Sequence, residues 1–212
     1  MNLSHLLDEA CQRLHDRHLL GTDGSMSMRL PGEAVMLLRA ADADGGSLVP
    51  VPFAKAQGDA AVHAAIYLAR ADVGAIGLGG GAFGRTLAGF GGGLPQVFDE
   101  QARHLGRTTV PLRAIGADLR TDAKRCLAKG GNLWVCGRRV AILGTTEQRL
   151  VLNAELAEKC IKAYVMAAGT GDPVHTLPWW VCYIANGRLH KDQARAATRM
   201  ASGLKPEESI GY

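Results

Sequence analysis

Asp59-Ala60-Ala61-Val62-His63-Ala64-Ala65-Ile66-Tyr67-Leu68-Ala69-Arg70-Ala71-Asp72-Val73-Gly74-Ala75-Ile76-Gly77-Leu78-Gly79-Gly80 decides the fold. Asp59 to Ala69 predicts a helix, with Val62, Ile66 and Ala69 on one face at helical spacing. Val73 to Leu78 is a short apolar run of the kind that forms a buried strand. A glycine-rich loop follows, and 10 of the 27 glycines fall between Gly74 and Gly93. Any functional account has to explain that cluster.

On the N-terminal side, Leu3, Leu7, Ala10, Cys11 and Leu14 give a first helix one apolar face, with Ser4 as its cap. Gly21-Thr22-Asp23-Gly24 breaks it. Ser25 to Leu30 alternates polar and apolar residues, Pro31-Gly32 turns the chain, and Ala34 to Arg39 reads as the paired strand. On the C-terminal side, helices are expected over Pro95–Leu105 and Thr121–Leu127. Leu133–Cys136 and Val140–Leu143 read as strands around a basic turn, Gly137-Arg138-Arg139. Thr146–Ala168 is the longest helix, and a Pro/Gly-punctuated stretch then leads to a last helix around Lys191–Ser202. Helices alternating with short strands and hairpins place the chain in the α/β or α+β class.

Composition narrows the function. The 212 residues are 47 % hydrophobic and 21 % charged, which are globular proportions, and the glycine has no collagen period. The formal charge is +4 with basic and acidic residues well mixed, so neither nucleic acid nor membrane is expected as a partner. Five widely spaced cysteines without a C-x-x-C, and no apparent signal peptide, predict reduced thiols and a cytoplasmic location.

Three segments together resemble the class II aldolase/adducin family. Gly21 to Gly32 is similar to the family's T-x-G-N-x-S-x-R segment. Asp59 to Gly80 is similar to its E-x-x-x-H-x-x-I-Y-x-x-R-x-D-V-x-A-V helix and strand. Val140 to Ala168, with Gly144-Thr145 and Glu155-Leu156-Ala157-Glu158, resembles the closing strand and long helix. The resemblance runs over roughly residues 5–170. It implies a layered α/β/α domain over 1–170 with a mainly antiparallel central sheet. Residues 171–212 form a C-terminal extension packing on the same domain or on a neighbouring subunit. It also implies a homo-oligomer, a tetramer in this family.

Catalysis in that family uses a divalent metal, often zinc, bound by an H-x-H after the middle strand and an N-H-G before the later one. A glutamate moves protons while the metal stabilises an enediolate. This sequence departs at each place. The H-x-H becomes Leu78-Gly79-Gly80, the third histidine falls on Arg138, and the glutamate becomes Asp59, four residues before His63. Ser25 replaces the asparagine of the phosphate-contacting turn, and Gln57-Gly58 replace a serine pair. Leucine and glycine cannot bind zinc and arginine repels it, so no metal is expected.

The candidate catalytic residues are therefore Asp59 and His63. The candidate substrate-binding residues are Ser25, Arg29, Gly79, Gly80, Arg138 and Arg139. An arginine of the pair can replace the metal's charge and bind a small carboxylated or phosphorylated anion in two-pronged fashion. Each has a structural alternative: a helix-capping Asp59, a buried His63, a solvated hairpin tip. The reading is a degenerate family member serving as a binding or assembly subunit, alone or with an active paralogue. The alternatives are a metal-independent lyase, isomerase or cyclase using Asp59, His63 and Arg138, or a metal enzyme with relocated ligands such as Asp99, Glu100 and His104. Gly77 to Ala82 also fits G-x-G-x-x-A with Asp99 downstream, an outline of a dinucleotide loop, though Gly89–Gly93 argues against a helix after the turn. Cys136 lies near the turn and is expected to be a buried structural thiol.

Overall fold

The computed structural model describes residues 3–40, 48–116 and 118–208. Six strands form one sheet: β1 (Ser25–Arg29), β2 (Val35–Ala40), β3 (Val49–Pro52), β4 (Ala75–Gly79), β5 (Leu133–Cys136) and β6 (Arg139–Gly144). Their order is β3-β2-β1-β4-β6-β5, and every neighbouring pair is antiparallel. The seven α-helices among the described residues are α1 (Leu3–Asp16), α2 (Asp59–Ala69), α3 (Ala82–Gly89), α4 (Asp99–His104), α5 (Leu119–Leu127), α6 (Glu147–Ala168) and α7 (Trp179–Ala201).

Strand alternation sorts the side chains into two cores. Met26, Met28, Val135, Val140 and Ile142 pack toward α1 and α6. Ile76, Leu78, Trp134, Ala141 and Leu143 pack with the apolar residues of α2 and α5. The result is three layers, α/β/α, around a sheet whose strands β4, β5 and β6 are buried, while the edge strand β3 is largely exposed. Helix α7, from the extension, packs against α4, and Arg103 pairs with Asp192 across that contact at 3.0 Å. The last four residues of the extension lie outside the described ones.

Several elements differ from the sequence reading for local reasons. Helix α1 has begun by Leu3, which puts Ser4 inside its first turn. Helix α4 spans only Asp99–His104, because Gln101 accepts from the Val97 N–H and donates to the Pro95 carbonyl, holding the preceding segment as a loop. Helix α5 starts two residues early because Asp118 caps it through the Thr121 N–H. Helix α7 starts at Trp179, directly after Pro178, and runs through Gly187. Strand β3 was not foreseen; its prolines are tolerated because it is an edge strand. A helix, α3, does follow the glycine turn, contrary to expectation, but β4 is antiparallel to both neighbours, so this is no dinucleotide βαβ unit.

The glycines at the end of β4 serve close packing. Gly79 has φ +153°, and a Cβ there would lie 2.0 Å from the Leu20 carbonyl oxygen. Gly89, the last residue of α3, has no atom within 4 Å of a would-be Cβ. Gly79→Ala should therefore cost several kcal/mol, about 3 or more, while Gly89→Ala should be neutral or stabilise by up to about 1 kcal/mol. Urea unfolding of the two variants checks the contrast.

Candidate functional site

Strand β1 reads Ser-Met-Ser-Met, and alternation sends Met26 and Met28 to one core and Ser25 and Ser27 to the other face. That face is covered by α2, whose His63 and Tyr67 lie one turn apart and so stack along one side. Two polar ladders, one on a strand and one on a helix, meet inside the protein.

The ladders form one chain of hydrogen bonds. Tyr67 OH lies 2.8 Å from Ser27 Oγ, and Ser27 Oγ lies 2.7 Å from His63 Nδ1. His63 Nε2 lies 2.9 Å from Ser25 Oγ, which lies 3.5 Å from Asp59 Oδ2. Arg139 closes the chain, donating from both terminal nitrogens to the Asp59 carboxylate at 2.7 and 2.5 Å and also to the Asp23 carbonyl at 3.1 Å.

The ionised carboxylate only accepts, and this sets the direction of every proton. Ser25 donates to Asp59, so His63 donates from Nε2 to Ser25. Its Nδ1 then accepts from Ser27, which accepts from Tyr67. The reverse order would leave the buried Tyr67 hydroxyl without an acceptor, an expensive arrangement.

Electrostatics follow from this geometry. The Arg139 guanidinium holds the Asp59 carboxyl below the usual aspartate range, against a smaller opposing effect of burial. Complete burial pushes His63 down to about 3, so its ring is neutral. Burial likewise raises the Tyr67 hydroxyl. Cys136 is pushed up to about 11, an inert thiol rather than a nucleophile.

Ser25, Asp59, His63 and Arg139 thus come together. Arg138 is exposed; the side chain that reaches Asp59 is its neighbour, Arg139. Arg29 sits at the other end of β1, its guanidinium 5.6 Å from the Phe53 ring centroid. Gly79 and Gly80 end β4 beside Ser25, but the N-terminus of α3 that follows is occupied from within. The Glu158 carboxylate accepts from the Phe83 and Gly84 N–H groups at 2.7 and 3.0 Å, and a Cβ on Gly81 would strike it. Glu100 pairs with Lys159 and His104 with Arg149, so they do not converge. Sequence reading missed Ser27, Tyr67 and Glu158. The i, i+2 serines of β1 and the i, i+4 His63–Tyr67 pair were the available signal for the first two.

The same architecture occurs in solved structures. An L-fuculose 1-phosphate aldolase aligns with TM-score 0.70 and 16 % identity over 88 % of this chain and 95 % of its own. YgbL of Klebsiella pneumoniae, proposed as an aldolase, epimerase or decarboxylase, aligns with TM-score 0.68 and 17 % identity over 87 % and 99 %. An aldolase II superfamily protein from Pseudomonas syringae gives 0.65 and 17 % over 93 % and 89 %.

The chain has the class II aldolase fold.

No protein-family model and no curated protein sequence matches it. Within the class II aldolase fold, the residues at the resemblance's metal position do not fit a divalent cation. Leu78 is buried in the core, Gly80 has no donor side chain, and Arg138 is an exposed cation. Both Asp59 oxygens face Arg139, and both His63 nitrogens face serines. Among the described residues, no three His, Cys, Asp or Glu side chains gather as a ligand set.

The depressed His63 has a consequence for stability. The unfolded chain takes up a proton near pH 6.5 that the folded protein refuses until about pH 3. Stability from this residue is intact above pH 6.5 and declines as pH falls toward 3, by about 1.4 kcal/mol per pH unit. Urea unfolding at pH 7, 6, 5 and 4 should show His63→Gln less stable at pH 7, with the gap to the native protein closing as pH falls.

Proposed function

We propose that this protein is a class II aldolase-fold protein without metal-dependent aldol chemistry, and that it works as a binding or assembly subunit. The observation that carries this is the two-pronged ion pair between Arg139 and Asp59. A general acid or base working near neutrality needs a pKa near the working pH, which for a carboxyl means a raised one. Here the carboxyl at the proton-transfer position is shifted the opposite way, and its acceptor capacity is engaged by an arginine.

His63 cannot take over that task, because burial makes it a very weak base and both ring nitrogens are bonded. The cavities beside Arg149, beside Thr108 and beside Phe53 are not lined by Asp59, His63 or Arg139. The alternative of a metal-independent lyase, isomerase or cyclase would require Arg139 to release Asp59. A homo-oligomer, tetrameric by resemblance, or a complex with an active paralogue is the assembly that this reading implies. The five cysteines are reduced thiols, four buried and one partly buried, which suits a reducing, cytoplasmic setting.

The test is metal content and aldol turnover of the purified protein. After zinc loading and dialysis, the protein should retain far less than one metal per chain. It should not cleave phosphorylated or carboxylated hydroxy-aldol substrates above background. Stoichiometric metal surviving dialysis, or turnover abolished by Asp59→Asn, would overturn the reading.

The pair itself is checked separately. Arg139→Ala should raise the Asp59 carboxyl toward its ordinary range, followed by NMR titration. Because both side chains are partly exposed, it should cost only about 1–2 kcal/mol.

A further inference from the structure

At the opposite end of the sheet, beyond the Gly144 end of β6, lies a cavity of about 140 Å³ between α4, the start of α6 and α7. Four arginines line it: Arg103, Arg149, Arg195 and Arg199. His104, also in the wall, is shifted down by burial and by Arg149 and Arg103, and so adds no charge at neutral pH. One wall carboxylate, Asp192, pairs with Arg103 and Arg195.

The other two carboxylates come from the chain's own C-terminal segment. Glu208 accepts from Arg149 at 2.8 Å and from the Thr146 hydroxyl. Glu207 pairs with Arg199 at 2.8 Å, and the Arg199 Nε also holds the Lys205 carbonyl at 2.9 Å. Without these two glutamates, the wall would carry four guanidinium groups against a single carboxylate.

We propose that this cavity binds a small dicarboxylate, in competition with Glu207 and Glu208. The chemistry is visible in the occupant: two carboxylates, each on a different arginine, in a recess of small-molecule size. Guanidinium forks donate to a ligand's carboxylate as readily as to a side chain's. Exchange swaps like for like, so the apparent affinity depends on the effective concentration of the tethered glutamates. That concentration is of order millimolar for a short tether, so the intact protein should bind a free dicarboxylate weakly. Binding would release Glu207 and Glu208, and residues 204–208 with them, from the cavity wall. The site lies at the other sheet end from Asp59 and does not depend on the proposal made for that end.

Calorimetric titration with glutarate, set against acetate and inorganic phosphate, tests it. Glu207→Gln/Glu208→Gln should bind glutarate about 10-fold or more tightly than the native protein. Adding Arg149→Gln and Arg199→Gln should abolish that gain. A second measurement avoids the arginine variants: glutarate should speed cleavage of the native protein after Glu207 or Glu208 by a glutamate-specific protease several-fold. Any of three results would overturn the proposal: no gain in the glutamine variant, acetate or phosphate binding as tightly as glutarate, or cleavage indifferent to glutarate.

Discussion

The line of hydrogen bonds from Tyr67 through Ser27, His63 and Ser25 to Asp59 is the constraint around which the rest is arranged. It places polar groups in the middle of an α/β/α sandwich, where an unmade hydrogen bond costs more than a made one gains. Each member therefore fixes its neighbour. The serines must lie on the α2 side of β1, which sets the register of that strand and sends Met26 and Met28 to the opposite core. His63 and Tyr67 must share one side of α2, which sets the rotation of the helix. The chain needs an anion at one end to orient its protons, and Asp59 supplies it with Arg139 as counter-charge.

That arrangement also explains why the charge pair sits where it does. Arg139 is the first residue of β6, and β6 lies beside β4, which lies beside β1. Three neighbouring strands thus bring their ends to the start of α2. The glycines of Gly79-Gly80 let this corner close: Gly79 lets β4 press on the Leu20 carbonyl, and Gly80 passes beside Val140. At Gly74 and Gly79 a neighbouring backbone carbonyl fills the space that a side chain would need.

Much of the fold was legible. The helical spacing of Asp59–Ala69 and the alternation in Ser25–Arg29 lie where the sequence puts them, and the hairpin turns at Gly137-Arg138, one residue tighter than expected because Arg139 already pairs in β6. The start of α7 was not, because Trp179 to Ile184 is aromatic and β-branched, a poor helix signal; this exposed first part follows Pro178 and continues into the part of α7 that is buried from Asn186 onward. Strand β3 was hidden by two prolines that only an edge position permits. At the site, Asp59, His63, Ser25 and the arginine pair were legible as residue types. Which arginine reaches Asp59 was not, because adjacent residues at a hairpin tip differ only in facing. Ser27 and Tyr67 escaped because a serine on a strand and a tyrosine on a helix carry no signal until the two elements are laid together.

One pattern joins the two ends of the molecule. Positions of positive potential are met by carboxylates of the chain itself. Asp59 meets Arg139, Glu158 meets the backbone N–H groups at the start of α3, and Glu207 and Glu208 meet Arg199 and Arg149. The three differ in how they are tethered, and that difference decides what each can do. Asp59 and Glu158 stand on helices packed into the body of the protein, so releasing them would cost packing as well as charge. Glu207 and Glu208 stand on a segment without regular structure beyond α7, tied down mainly through side chains. An external anion competing for Arg139 or the α3 N-terminus has to disrupt a helix. One competing for Arg149 and Arg199 has only to lift a few residues, which is why exchange belongs at that end of the sheet.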